Sequence, residues 1–225
     1  MKLIVIPTLE EAQQLIKKTQ TLSVKKNFLT LYKLSSDYLL AITRIGLVNS
    51  AMNLTWIINN YDIELIINLG TTAAVNNNLK ILNTVLITKA TYLDANNTCF
   101  GYEFGQIPQE KPYYSLTKTQ VNYIENKLST KLDFKLATVA SSNSFINKEK
   151  LSFIHDSFPY IIDVVDMETT SLWNVANNFG INFYCIRVIS DVISDFDNHL
   201  KFSETMTEAS KKIFDIFIII QNSLD

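Results

Sequence analysis

At 225 residues, with 47% hydrophobic and 19% charged positions, the chain can bury one substantial core, and we read a single domain over 1–225. A net charge of −2 without any block of lysines argues against a nucleic-acid groove or a polybasic membrane anchor. The N-terminal apolar run is too short for a signal peptide and Ile216–Ile220 too short for a bilayer span, so the expected location is cytoplasmic.

A strand over Lys2–Ile6 leads into a helix over Leu9–Thr19. Phe28–Lys33 and Tyr38–Thr43, joined by Ser35-Ser36-Asp37, read as an antiparallel hairpin. A helix over Leu47–Asn60 precedes strands at Leu65–Leu69 and Thr84–Thr88. Tyr92–Tyr114 is the least regular stretch, with aromatics, two glycines and two prolines; long ordered loops of this kind are usually functional or cover a partner. Then come a helix at Thr117–Leu128, a strand at Phe134–Ala140, a helix at Lys148–His155 and a strand at Ile161–Val165. The helix Thr169–Phe179, capped by Gly180, leads to a strand at Phe183–Ile189 and a last helix at about Ser203–Leu224. Val, Ile and Leu occupy both pleat faces of most strands, so the sheet should be covered on both sides. The expected fold is α/β, a central mixed β-sheet flanked by helices on both faces.

Ligands of open α/β sheets settle at the carboxyl ends of strands. Here those ends carry Thr8 to Glu11, Thr43-Arg44, Gly70-Thr71-Thr72, Ser141-Ser142-Asn143, Asp166-Met167-Glu168 and Ser190-Asp191. Acids and hydroxyls abound, but no serine–histidine or cysteine–histidine pairing suggests acyl transfer. No glycine motif for a nucleotide triphosphate or dinucleotide is present. His155 and His199 lack ligand spacing, and Cys99 and Cys185 are expected as buried reduced thiols, so neither metal nor cofactor is anticipated. Carboxylates converging without a metal suit glycosidic-bond hydrolysis. The run Cys185 to Asp191 is the most telling: a β-branched strand stops on a serine and a carboxylate, half in a low-dielectric wall that favours the protonated acid.

Five motifs in order resemble one family. Asp94 to Pro108 is similar to Asp-x-Asp-x-x-x-Phe-Gly-Tyr-Glu-x-Gly-Gln-x-Pro, and Ser144-Phe145-Ile146 to Ala-Phe-Ile. Val165-Asp166-Met167-Glu168 resembles Val-Glu-Met-Glu, Arg187 to Asp191 resembles Arg-Ala-Ile-Ser-Asp, and His199 to Phe202 resembles His-Leu-x-Phe. These are motifs of the methylthioadenosine/S-adenosylhomocysteine nucleosidases, within the nucleoside phosphorylase superfamily. The resemblance implies a nucleoside phosphorylase-like fold and a homodimer that cleaves adenine from 5′-substituted adenosines with water. By it, Asp191 protonates purine N7 with Ser190 orienting it, Glu168 takes both ribose hydroxyls and Glu11 holds the attacking water. Phe145 stacks on the base while the backbone of Ile146 reads its edge. Met167, Ile45 and Phe202 line the ribose and 5′ side, and Asp166 and Thr71 complete the substrate-binding set. Phe100 and Pro108 close the 5′ pocket from a neighbouring subunit.

Departures from the family pattern are local. Gly70-Thr71-Thr72-Ala73-Ala74 stands where the family carries Gly-Ser-Ala-Gly-Gly, and any of these positions requiring positive φ would cost alanine on the order of 1 kcal/mol. Ser142-Asn143 replaces Gly-Asp, and Asp166 is one methylene shorter than the family glutamate. The stretch Pro7 to Ala12 looks more like the related futalosine hydrolases, so an aminodeoxyfutalosine-type nucleosidase is one alternative; a nucleoside-binding relative that has lost turnover through the altered glycine loop is the other.

Overall fold

Strand β1 (Lys2–Ile6) is buried on both pleat faces: Leu3 and Val5 enter one apolar layer, Ile4 and Ile6 the other. The computed structural model describes residues 1–19, 21–195 and 197–224. Nine more strands follow: β2 (Leu22–Lys25), β3 (Thr30–Lys33), β4 (Tyr38–Ile42), β5 (Leu65–Ala74), β6 (Thr84–Tyr92), β7 (Tyr114–Ser115), β8 (Lys135–Ser141), β9 (Val164–Asp166) and β10 (Asn182–Val192). The helices are α1 (Gln13–Thr19), α2 (Leu47–Asn60), α3 (Lys118–Leu128), α4 (Leu151–Ser157), α5 (Thr169–Asn178) and α6 (Asn198–Gln221). Leu54 and Ile57 of α2 and Leu172, Trp173 and Ala176 of α5 complete the first layer. Leu15 of α1, Ile124 and Leu128 of α3 and Ile213, Phe217 and Ile220 of α6 complete the second. The sheet is thus mixed and covered on both faces, as the residue pattern implies.

The pairing goes beyond that expectation. β1 lies parallel between β4 and β5, with β3 and then β2 antiparallel beyond β4. On the other side, β5 pairs β10, β10 pairs β6, β6 pairs β8, β8 pairs β9, and β9 returns to β5. Five strands therefore close into a ring, β1 to β4 extend from it as an open wing, and the short β7 pairs with β6. β5 holds β1 through Leu65–Asn68 but reaches β9 only at Ala73 and Ala74. Between those two contacts one edge of β5 is open, and this is where the ends of β1 and β9 deliver their acids.

Several element boundaries differ from the sequence pattern. α1 begins at Gln13 rather than Leu9, because residues 9–12 form turns pinned by Thr8 and Glu11. β5, β6 and β10 run past Leu69, Thr88 and Ile189, to Ala74, Tyr92 and Val192. β9 starts at Val164, leaving Ile161 71% exposed and outside the sheet. β2 and β7 were not anticipated; β2 alternates apolar and polar residues over only four positions and is largely exposed, and β7 has two residues. Gly180 ends α5 at φ 68 as expected, its N–H donating to the Asn177 carbonyl. Among the described residues no helix is long and apolar enough to cross a membrane.

Candidate active site

Glu11, Ile45, Thr71, Phe145, Ile146, Asp166, Met167, Glu168, Ser190, Asp191 and Phe202 line a single cavity of about 190 Å³ at the open edge of β5. The ends of β1, β5, β9 and β10, the turn before α2, the loop after β8 and the first turns of α6 contribute them.

Asp191 reaches this cavity through a β-bulge. The register of β10 on β5 slips between Ile189 and Asp191, so Ser190 is the extra residue. In a regular strand neighbouring side chains point to opposite faces; the bulge lets Ser190 and Asp191 line the same pocket. Ser190 Oγ lies 2.7 Å from Asp191 Oδ1, donating to it, and 3.2 Å from the Thr72 carbonyl. Asn198 Nδ2 donates to Asp191 Oδ2 at 2.9 Å. Burial raises the pKa of Asp191 above the usual aspartate value; the two donors pull it down and Asp195 adds to the rise. The carboxyl is 1% exposed, and burial prevails.

The other end of the cavity is built from Glu11 and Glu168. Glu11 is 4% exposed, so it is no solvated helix-start acid, whereas its neighbour Glu10 is exposed. Its Oε1 accepts from the Thr71 amide at 2.7 Å and the Thr71 hydroxyl at 2.8 Å, and its Oε2 from the Thr8 hydroxyl at 2.9 Å. Thr71 can give its amide to a side chain because no strand claims that edge of β5. Glu168 Oε1 accepts the Gly46 amide at 3.1 Å. Burial pushes the Glu168 pKa up to about 8, helped by the charge of Asp166 and opposed by Arg187.

Asp166 faces the cavity, but its carboxylate is largely occupied by protein. It takes an ion pair from Arg187 at 2.8 Å, a hydrogen bond from Ser141 Oγ at 2.5 Å and another from the Thr169 hydroxyl. Arg187 is fully buried and also bonds Asn68 Oδ1 and Thr169 Oγ1, at 2.8 and 2.9 Å. It neutralises the acids from behind rather than facing the cavity.

Phe145 and Phe202 meet edge to face, with centroids 6.1 Å apart, and form an apolar wall. Phe100 is 78% exposed, and neither it nor Pro108 lines the cavity of its own chain. The loop that bears them is anchored elsewhere: Phe104 packs edge to face on Phe153 and Phe158, and Asn97 bonds the Gln106 carbonyl. Phe100 is left pointing outward. Cys185 is buried as expected, its thiol pushed up to about 11, but Cys99 on this same loop is exposed.

Sequence reasoning missed Asn198 and Gly46, which hold the two acids by a side-chain amide and a backbone amide. Asn198 directly precedes the His199 to Phe202 motif, its one sequence signal. Gly46 carries φ 101, a backbone setting suited to glycine, and stands next to Ile45.

A sequence model of the phosphorylase superfamily matches residues 2–220. A 5′-methylthioadenosine/S-adenosylhomocysteine nucleosidase of Staphylococcus carnosus (strain TM300) is 30% identical over 192 residues, covering 84% of this chain and 83% of that protein. The chain belongs to this superfamily, in its methylthioadenosine/S-adenosylhomocysteine nucleosidase family. A solved nucleosidase-family structure from Borrelia burgdorferi B31, bound to adenine, superposes with a TM-score of 0.88 at 27% identity, over 99% of each chain. The nucleosidase of Streptococcus pneumoniae, solved with a transition-state inhibitor, gives 0.89 at 24% identity over the whole of both chains and supports the fold.

Against that family, the altered glycine segment proves harmless to the backbone. Thr71 to Ala74 are extended within β5, and none has positive φ. Asn143, in place of the family's acid, accepts the Leu47 amide at 2.9 Å and ties the loop after β8 to the start of α2.

Proposed function

We propose that the protein hydrolyses the N-glycosidic bond of 5′-substituted adenosines, releasing adenine and the 5-substituted ribose, with 5′-methylthioadenosine and S-adenosylhomocysteine as substrates. One observation carries the choice of water over phosphate within a superfamily of phosphorylases. The cavity is lined by four carboxyl groups, Glu11, Asp166, Glu168 and Asp191, and, among the described residues, by no lysine or arginine. A phosphate nucleophile needs cationic donors, and the guanidinium of Arg187 is committed to Asp166 and its neighbours. A neutral water meets no such repulsion.

Asp191 gives its proton to purine N7 as the bond between N9 and the anomeric carbon breaks. The bonding pair leaves with the base, so adenine departs neutral. General acid catalysis of this kind contributes about 10²–10⁴-fold. Glu168 accepts hydrogen bonds from the two ribose hydroxyls, and the positive charge that develops on the oxocarbenium-like sugar favours its ionised form there. Glu11 orients the water and takes its proton as the new C–O bond forms. Phe145 stacks on the base, the Ile146 backbone reads its edge, and Ile45, Met167 and Phe202 enclose the sugar and its 5′ group.

We take the enzyme to be a single nucleosidase domain acting in the cytoplasm as a homodimer and serving methionine salvage. In the dimer Phe100 and Pro108 of a neighbouring subunit close the 5′ side. The outward placement of Phe100 supports this reading.

The test is adenine release from 5′-methylthioadenosine with and without phosphate. Full rate without phosphate is expected. Strict dependence on phosphate would make the protein a phosphorylase, and tight binding without release a nucleoside-binding relative.

A further inference from the structure

Asn198, the first residue of α6, is 2% exposed and uses both hydrogens of its amide. One goes to Asp191 Oδ2 at 2.9 Å, the other to the Ile146 carbonyl oxygen at 3.0 Å. The two acceptors sit on separate elements, β10 and the loop after β8. In the function proposed above, on which this inference rests, they meet adjacent groups of one base: the acid meets N7, and the Ile146 carbonyl meets the 6-amino group.

We propose that Asn198 is a positioning residue that sets base specificity, by locking the acid and the base-reading carbonyl at one spacing suited to 6-aminopurines. It lies behind both groups and lines none of the cavity. Ser190 on Oδ1 and Asn198 on Oδ2 together fix the plane of the Asp191 carboxyl. The remaining capacity of Oδ2 is left for the base. The Ile146 carbonyl, with one lone pair held by Asn198, keeps the other for a donor. Adenine supplies that donor. A 6-oxopurine presents a lone pair instead, and a tethered carbonyl cannot swing away to relieve the repulsion. Sites that fix a hydrogen-bonding group in this way discriminate strongly against the mismatched partner.

The asparagine also acts on protonation. A donor to the carboxylate favours its charged form, so Asn198 opposes the effect of burial on Asp191. The charged group acting on Asp191 from its own side is Asp195, after β10. Glu11, Asp166 and Glu168 line the same cavity, and Asp197 and His199 flank Asn198 in sequence.

The experiment compares wild type, Asn198→Ala and the near-isosteric Asn198→Leu on 5′-methylthioadenosine and on its 6-oxo counterpart, across pH. Both variants should lose about ten- to hundredfold in kcat on the amino substrate, with KM changed about threefold or less. The ratio of kcat/KM between amino and oxo substrates should fall at least about tenfold. The alkaline limb of kcat should move to higher pH, by up to about one unit, as the anion loses a donor. A purely structural role would lower melting temperature and slow both substrates alike, leaving the ratio and the limb in place; that result overturns the inference. Should Asn198→Ala fail to fold, the leucine variant, which fills the same buried space, decides. Wild type that releases no adenine would remove the proposed function itself, whereas active wild type with unmoved variants removes only the role of Asn198.

Discussion

Gly70 and Arg187 face each other across β5 and β10 with no room for a methyl group between them. They are register partners, and a Cβ at position 70 would collide with Arg187 Nη1 and lie 3.0 Å from Glu11 Oε1. The glycine is thus kept for the guanidinium behind the acids, while the alanines at positions 73 and 74 sit in ordinary strand.

Gly70→Ala is therefore expected to destabilise the protein by about 1–3 kcal/mol, the usual cost of forcing atoms into a packed core. It should also slow turnover by displacing Arg187 and Glu11. A denaturant titration with unchanged midpoint, together with wild-type kcat, would refute the crowding.

Asp191→Asn should bind adenosine analogues nearly as wild type does and lose about 10²–10⁴-fold in kcat. A near-normal rate would remove the acid from position 191. In the wild type, kcat should fall as pH rises through the elevated Asp191 pKa, because the working form is the protonated one.

Glu168→Gln makes a prediction about stability and pH. Burial lifts the folded-state pKa of Glu168 from 4.5 to about 8, so between those values the native state binds more protons than the unfolded chain. Stability of the ligand-free wild type contributed by this group is present below the lower value and lost as pH rises toward the upper. Glutamine carries no such penalty. The melting temperature of the variant relative to wild type should climb from pH 5 to pH 8; a flat or falling difference would contradict the assignment. Turnover should also drop, most at high pH, where the wild-type carboxylate is ionised and the ribose loses its anionic partner.

Phe100→Ala should weaken 5′-alkylthio substrates by about tenfold or more, in line with loss of a buried aromatic contact, and adenosine by about threefold or less. Parallel losses on both substrates would mean that the loop does not cover the 5′ group.

The acids were legible in the sequence because each lies at or shortly past the end of an apolar run: Ile6 before the Glu11 turn, Val165 before Glu168, Ile189 before Asp191. Such an ending has few explanations besides a ligand site. The bulge at Ser190 was not legible, since a register slip depends on the partner strand and leaves no mark on local periodicity. Closure of the ring was hidden for a similar reason, because β5 reads as a strand whether it has two neighbours or three. The helix expected from Leu9 overran its true start because apolar spacing continues through a turn fixed by Thr8 and Glu11. Asn198 looked like one more asparagine in an asparagine-rich chain; its role follows from burial, which only the fold reveals.

The triple sharing of β5 has a mechanical consequence. Opening the backbone of Ile66 to Leu69 means parting β10 on one side and, for most of that length, β1 on the other, so these amides should be among the last to take up deuterium. Unfolding by fraying would then start in the outlying wing of β2 and β3 and reach the catalytic floor late.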